Sequence, residues 1–137
     1  MTVLVDTPVW SLALRRESPD LNAEEQRITK ALSELIQEGR ARLLGPVRQE
    51  LLSGIREEDR FNKLRQYLRA FDNPELDSED YEQAAGMSSQ CRTRGIAGSA
   101  IDLLICAIAH RRQWQIFTTD RDFIHYARIL PVSLYAR

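Results

Sequence analysis

The chain has 137 residues, about one domain with a single core, and its 43% apolar content is ordinary for a globular protein. No apolar run approaches the roughly 20 residues that span a bilayer, which excludes a membrane-spanning helix. A formal net charge of −1 speaks neither for nor against nucleic acid as a partner.

Further compositional points narrow the class. The N-terminus has no charged region ahead of its short apolar start, so the expected compartment is the cytoplasm. All basic residues except Lys30 and Lys63 are Arg. Arg suits bidentate contact with phosphate or carboxylate, although genome base composition alone also produces such a bias. Cys91 and Cys106 have neither metal-ligand spacing nor a CxxC pattern, and two reduced thiols are expected.

Thr2–Asp6, TVLVD, is a β-branched run ending in a carboxylate and predicts a buried strand. Thr7-Pro8 predicts a helix start, with Thr7 as N-cap and Pro8 at the first helical position, leading into Val9–Arg15. Ser18-Pro19-Asp20 breaks that helix. Leu21–Gly39 has helical spacing at Ile28, Leu32, Leu35 and Ile36, with Gly39 placed as a C-cap. Ala41–Leu44 predicts a second strand. Gly45-Pro46 turns it into a helix over Val47–Ser53, which carries Glu50.

Glu57–Phe71 predicts a charged amphipathic helix, ended by Asp72-Asn73-Pro74. Glu75–Asp77 is a candidate for a very short strand. Asp77–Thr93 predicts a helix capped by Asp77 or Ser78. After a small, flexible entry at Gly98-Ser99, the run Ile101–Ala109 is apolar nearly all round, as suits a helix between a sheet and other helices. Arg111-Arg112 ends it, either offsetting the helix dipole or meeting a phosphate. Gln115–Thr118 predicts a strand, Asp120–Ala127 a short helix or turn, and Ile129–Leu134 a last strand. Alternating strands and helices imply an α/β fold. The expected architecture is a three-layer α/β/α sandwich around a short, mainly parallel sheet of four or five strands, in a single domain over residues 1–137.

Ligands of open parallel sheets bind beyond the carboxyl ends of the strands. Asp6, Glu50 and Asp120 fall at or just after such ends. Asp102 heads the apolar helix, and helix N-termini share that edge. Each acid has an ordinary structural role open to it. Asp6 could support a turn, Glu50 could offset a dipole, Ser99 to Asp102 has capping-box spacing, and Asp120 could be an N-cap. Four such acids at one edge favour a shared site. Two carboxylates about 4 Å apart repel by about 4 kcal/mol at an effective dielectric near 20, so a cluster calls for a cation. Oxygen donors select hard ions, Mg²⁺ or Mn²⁺ rather than zinc. Such ions activate water and stabilise in-line displacement at a phosphodiester.

Other motifs are weaker. No nucleophile elbow, Walker A or GxGxxG sequence occurs. His110 and His125 are too far apart in sequence to suggest a metal pair by themselves. Trp10 and Trp114 are better explained as core or interface residues than as base-stacking platforms.

LVDTPVW, Glu50 in a helix after the second strand, IDLLICAIA and TTDRDF together resemble the PIN-domain ribonucleases, and most closely the VapC-type toxins of type II toxin–antitoxin systems. The resemblance runs the length of the chain and rests on the order and spacing of these motifs. It implies that Asp6, Glu50, Asp102 and Asp120 form a metal-binding catalytic set. It further implies that Thr118 supplies a supporting hydroxyl and that Asp122 stands just behind the ligands. Pro8 departs from the small polar residue expected at that position. The activity implied is Mg²⁺- or Mn²⁺-dependent RNA cleavage that arrests translation. The partners implied are RNA, a second copy of the chain and a VapB-type antitoxin whose C-terminal segment covers the acidic groove.

Two other classes compete. A phosphatase-like or receiver-like phosphoryl-transfer domain also uses acids and Mg²⁺. It would need an Asp at position 8 or a Lys after the last pocket strand, and neither is present. A non-catalytic RNA- or protein-binding module would not need the complete acidic set.

Overall fold

A computed structural model of the chain describes residues 1–15 and 20–136. The expected break at Ser18-Pro19 lies outside the described residues. Three strands and seven helices alternate through them: β1 (Val3–Val5), α1 (Thr7–Arg15), α2 (Ala23–Gln37), β2 (Ala41–Arg42), α3 (Gly45–Ser53), α4 (Glu58–Leu68), α5 (Ser78–Thr93), α6 (Ala100–Arg112), β3 (Gln115–Phe117) and α7 (Asp122–Ile129).

The sheet order is β2-β1-β3, and both pairings are parallel. Val3 is opposite Ala41 on one side and Gln115 on the other. The chain therefore crosses one way from β1 to β2, then back past β1 to β3. Right-handed crossovers taken in opposite directions put the intervening helices on opposite faces of the sheet. The packing follows this in part: α1 meets α2, and α5 packs on α6 and α7, while α3 and α4, the first helices after β2, stay with α1 through the α1–α3 and α3–α4 contacts. Val3, Leu4 and Val5 are completely buried, as a strand covered on both faces requires.

Local sequence explains most of the element ends. Asn22 caps α2 and Asp77 caps α5, each in a reciprocal capping box with the residue three positions on. Gly39 takes a positive φ of 70° just past α2, where a left-handed residue ends a helix. Pro46 lies in the first turn of α3, where its missing N–H costs nothing. The middle of α6, Leu103 to Ala109, is buried without interruption.

Three element ends differ from expectation. Helix α1 begins at Thr7 rather than after a Thr7 cap, because Asp6 takes the capping role. Its carboxylate accepts the Thr7 N–H at 2.8 Å and its carbonyl accepts the Val9 N–H at 3.2 Å. Glu75–Asp77 forms no strand, since Asp77 is committed to capping α5. The expected strand Ile129–Leu134 is replaced by the end of α7 and a turn. The chain returns to the sheet in a short parallel bridge of Leu134 to Ile116, where the Ile116 N–H donates to the Ser133 carbonyl at 2.9 Å and the Tyr135 N–H donates to the Ile116 carbonyl at 2.7 Å, adding a fourth position beyond β3.

The Arg pair ending α6 has a structural partner. Asp80 is fully buried and accepts hydrogen bonds from Arg111 at 2.7 Å and from Arg112 at 2.9 and 3.1 Å. Asp77 and Glu79 also bind Arg111. These bonds join α5 to the C-terminal end of α6 and hold the Asp80 carboxyl well below the usual carboxylate range. Trp10 is a core residue, with its indole N–H donating to the Val5 carbonyl at 3.1 Å and its ring edge-on to Phe71. Both cysteines are free and buried, and burial pushes the Cys106 thiol far above its ordinary range.

Candidate metal centre

The order β2-β1-β3 places a topological switch point between the carboxyl ends of β1 and β3, where crossovers leave the sheet in opposite directions. Asp6 follows β1 directly, and Thr118 follows β3 directly. The Asp6 N–H donates to the Phe117 carbonyl at 2.9 Å, so the sheet ladder itself brings the two segments together. The Thr118 hydroxyl then donates to Asp6 Oδ2 at 2.7 Å and accepts the Asp120 N–H at 3.0 Å. One hydroxyl thus ties the acid after β1 to the backbone of the acid after β3. Asp120 Oδ1 accepts the N–H of Asp122, which opens α7.

Asp102 comes from the opposite crossover, in the first turn of α6. Ser99 caps that helix by accepting the Asp102 N–H at 3.1 Å. The cap is one-sided. The Asp102 carboxylate does not return to the Ser99 backbone but accepts the Tyr126 hydroxyl at 2.8 Å.

One carboxylate oxygen from each of Asp102, Asp120 and Asp122 lies within 4.8 Å of the others. Asp6 lies beside this group and deeper. It is only 5% exposed, and the charges of Asp102 and Asp120 act on it. Burial pushes its pKa up to about 6, against the hydrogen bonds from Thr118 and Thr7, and the two neighbouring acids push the same way. Burial also raises Asp102, opposed by Tyr126 and Ser99 and reinforced by Asp120 and Asp122. Among the described residues, no Arg, Lys or His forms an ion pair with any of the four.

The expected set is therefore only partly assembled. Asp102 and Asp120 meet, with Asp6 next to them and Thr118 linking Asp6 to Asp120. Asp122, expected behind the ligands, joins the group itself. Glu50 is exposed on α3 and is not among the carboxylates that approach one another. Thr7 Oγ1, beside Asp6 in sequence, is buried and has no hydrogen-bond partner.

Tyr126 went unanticipated. Its only sequence signal is the Phe123–Tyr126 spacing, which puts both on the buried face of α7. A buried Tyr generally finds a partner for its hydroxyl, but nothing in the local sequence points to an acid 24 positions earlier.

The donors converging here are carboxylate oxygens. Oxygen-rich sites of this kind fit Mg²⁺ or Mn²⁺, and the group offers neither imidazole nor thiolate for zinc. The cleft lined by Ile36, Arg42, Phe71 and Trp114 does not include these acids.

A short parallel sheet between helical layers, with acids gathered at its switch point, defines an α/β protein with an acidic candidate site. Residues 3–129 match the PIN domain family model, and the chain belongs to the PIN domain family. Among solved structures, it is similar to FitAcB from Neisseria gonorrhoeae, with TM-score 0.77 and 24% identity over 98% of this chain and 97% of that one. It is also similar to VapBC2 from Rickettsia felis bound to a promoter DNA fragment, with TM-score 0.73 and 14% identity over 98% of each chain. A toxin–antitoxin complex from Klebsiella pneumoniae aligns with TM-score 0.67 and 15% identity, over 89% of this chain and 90% of that one. At these identities the likeness is one of fold. Comparison with the curated proteins gives no match.

Proposed function

We propose that this PIN-domain chain is an endoribonuclease dependent on Mg²⁺ or Mn²⁺, and the toxin of a type II toxin–antitoxin module. It would act in the cytoplasm, as a homodimer of single-domain chains, with a VapB-type antitoxin as its inhibitor. The observation that carries the reading is the gathering of Asp6, Asp102, Asp120 and Asp122 at one sheet edge, with no ion pair to a basic side chain among the described residues. Family membership adds to it, since PIN domains are generally nucleases. The fold likeness to a structure described as a toxin–antitoxin complex supports the biological setting.

In this reading Asp102 and Asp120 are the principal metal ligands, with Asp6 and Asp122 completing or backing the set. A bound divalent ion would lower the pKa of water and neutralise charge on the scissile phosphate. The protein's own part is positional. The sheet fixes the Asp6 backbone, Thr118 fixes one Asp6 oxygen, and helix packing fixes Asp102. Glu50 acts from α3 through water, orienting the attacking molecule. The acidic edge repels bare RNA, so phosphate binding depends on the cation. An antitoxin inhibits by sending an Arg into the carboxylates, a charge-assisted contact that competes with the cation.

The test is RNA cleavage by the purified chain. Cleavage is expected in Mg²⁺ or Mn²⁺ and not in EDTA, and addition of a VapB-type antitoxin abolishes it. Cleavage undiminished in EDTA overturns the reading.

A further inference from the structure

Tyr126 is the residue at this edge that the proposed chemistry leaves unused. It is 1% exposed, with its ring edge-on to Phe123 at a centroid distance of 5.1 Å. Its hydroxyl donates to Asp102 Oδ2 at 2.8 Å. The ring also rests against the backbone of Gly98. A Cβ at that position would sit 3.0 Å from both Cε1 and Oη of Tyr126, and 2.2 Å from Cδ2 of Leu103. Gly98 is therefore small because the Tyr126 ring and Leu103 occupy the space its side chain would take, and not simply because the entry to α6 needs flexibility.

These contacts leave the hydroxyl little choice of position. The α7 backbone, the Phe123 ring and the Gly98 backbone hold the phenol, and the phenol holds one oxygen of Asp102. Asp102 also presents an oxygen within 4.8 Å of Asp120 and Asp122. A carboxylate free to rotate about its last bond would average over many directions. Partners of this kind orient metal ligands, and their loss typically weakens metal affinity 10- to 100-fold.

We propose that Tyr126 is a positioning residue: through its hydrogen bond to Asp102 Oδ2 it sets the direction in which that carboxylate meets a divalent cation, and Gly98 is the space in which the phenol is seated. The proposal rests on the metal-site reading above. It adds that α7, already the carrier of Asp122, also orients the acid of α6. Helices α6 and α7 thus reach the site as one hydrogen-bonded unit.

The experiment is a calorimetric titration of the purified chain with Mn²⁺ alone at pH 7.5. It compares the wild type with Tyr126→Phe, Tyr135→Phe and Asp102→Asn. Circular dichroism melting establishes that each variant is folded. Tyr126→Phe keeps the ring and its packing and removes only the hydroxyl. It is expected to bind Mn²⁺ about 10-fold more weakly. Its RNA cleavage should fall in kcat at limiting Mn²⁺, leave KM for RNA unchanged, and recover in excess Mn²⁺. Tyr135→Phe removes a hydroxyl that the site does not use and should bind as the wild type does.

A purely structural Tyr126 would change melting without changing affinity. Wild-type Mn²⁺ affinity in folded Tyr126→Phe, with Asp102→Asn impaired, overturns this inference and leaves the metal site standing. Failure of the wild type to bind Mn²⁺ overturns the metal-site reading, and the inference with it.

Discussion

Asp6→Asn separates the metal-site account from a merely structural one, because the two predict opposite changes in stability. Asp6 is nearly buried, with a pKa raised from 3.8 to about 6. A carboxyl whose pKa rises on folding favours the folded state below its unfolded pKa, and that contribution is lost as pH climbs through the folded value. Above pH 6 the ionised Asp6 therefore costs the metal-free fold about 3 kcal/mol relative to a neutral group. Asn keeps the acceptor for the Thr7 N–H. Its amide replaces the oxygen that accepts the Thr118 hydroxyl, a loss of about 1 kcal/mol. The net expectation is a gain of about 2 kcal/mol in EDTA at pH 7.5, or about 6 °C in melting temperature for a domain of this size. At pH 4 the wild-type group is already mostly protonated in the fold, and the advantage shrinks or reverses. Saturating Mn²⁺ should stabilise the wild type more than it stabilises Asp6→Asn. Thermal melts at two pH values, with EDTA and with Mn²⁺, supply the readout. A variant less stable than wild type in EDTA at pH 7.5 refutes the reasoning.

Asp102→Asn is expected to abolish RNA cleavage and growth arrest while the melting curve stays cooperative, and full activity in that variant contradicts a ligand role. Glu50→Gln should lower the cleavage rate by a smaller factor than Asp102→Asn, because Glu50 stands outside the converging group; parallel single-turnover assays compare them. Asp80→Ala strips the buried partner from Arg111 and Arg112. Those arginines are 28% and 24% exposed and regain some solvent, so the cost is about 2–3 kcal/mol, below that of a fully buried pair, measured as a shift in urea midpoint. Because its pKa is depressed, the Asp80 contribution is present above about pH 4 and fades as pH falls toward the lowered value. Asp80→Ala and wild type should therefore converge in strong acid.

The fold was legible where period and punctuation agree. The TVLVD run, the Leu21–Gly39 spacing and the unbroken apolar stretch of α6 each answer to a strong local pattern. The last segment misled because Ile129–Leu134 has strand composition, while α7 runs on through Ile129 and the chain meets Ile116 only in a short bridge at its end. The start of α1 misled because Thr7 is a good cap in general, and the sequence cannot show that Asp6, held by the sheet, reaches the same N–H first.

Within the site, Asp6, Asp102 and Asp120 could be singled out by position alone, since strand ends and helix starts of a parallel sheet share an edge. The finer roles could not. Asp122 joins the group because the turn after β3 folds its N–H onto Asp120. Tyr126 and Gly98 become meaningful only when α6 and α7 are packed against each other, a contact between side chains that no spacing rule anticipates.

The central claim is that the acids at the β1–β3 switch point form one divalent-cation site. The most direct measurement is anomalous X-ray diffraction from crystals of the chain soaked in Mn²⁺ at neutral pH. The account predicts an anomalous peak at coordination distance from the Asp102 and Asp120 carboxylates, beside Asp6, and its disappearance in Asp102→Asn. Well-diffracting soaked crystals with no peak at this edge, or with a peak only elsewhere on the surface, would contradict it.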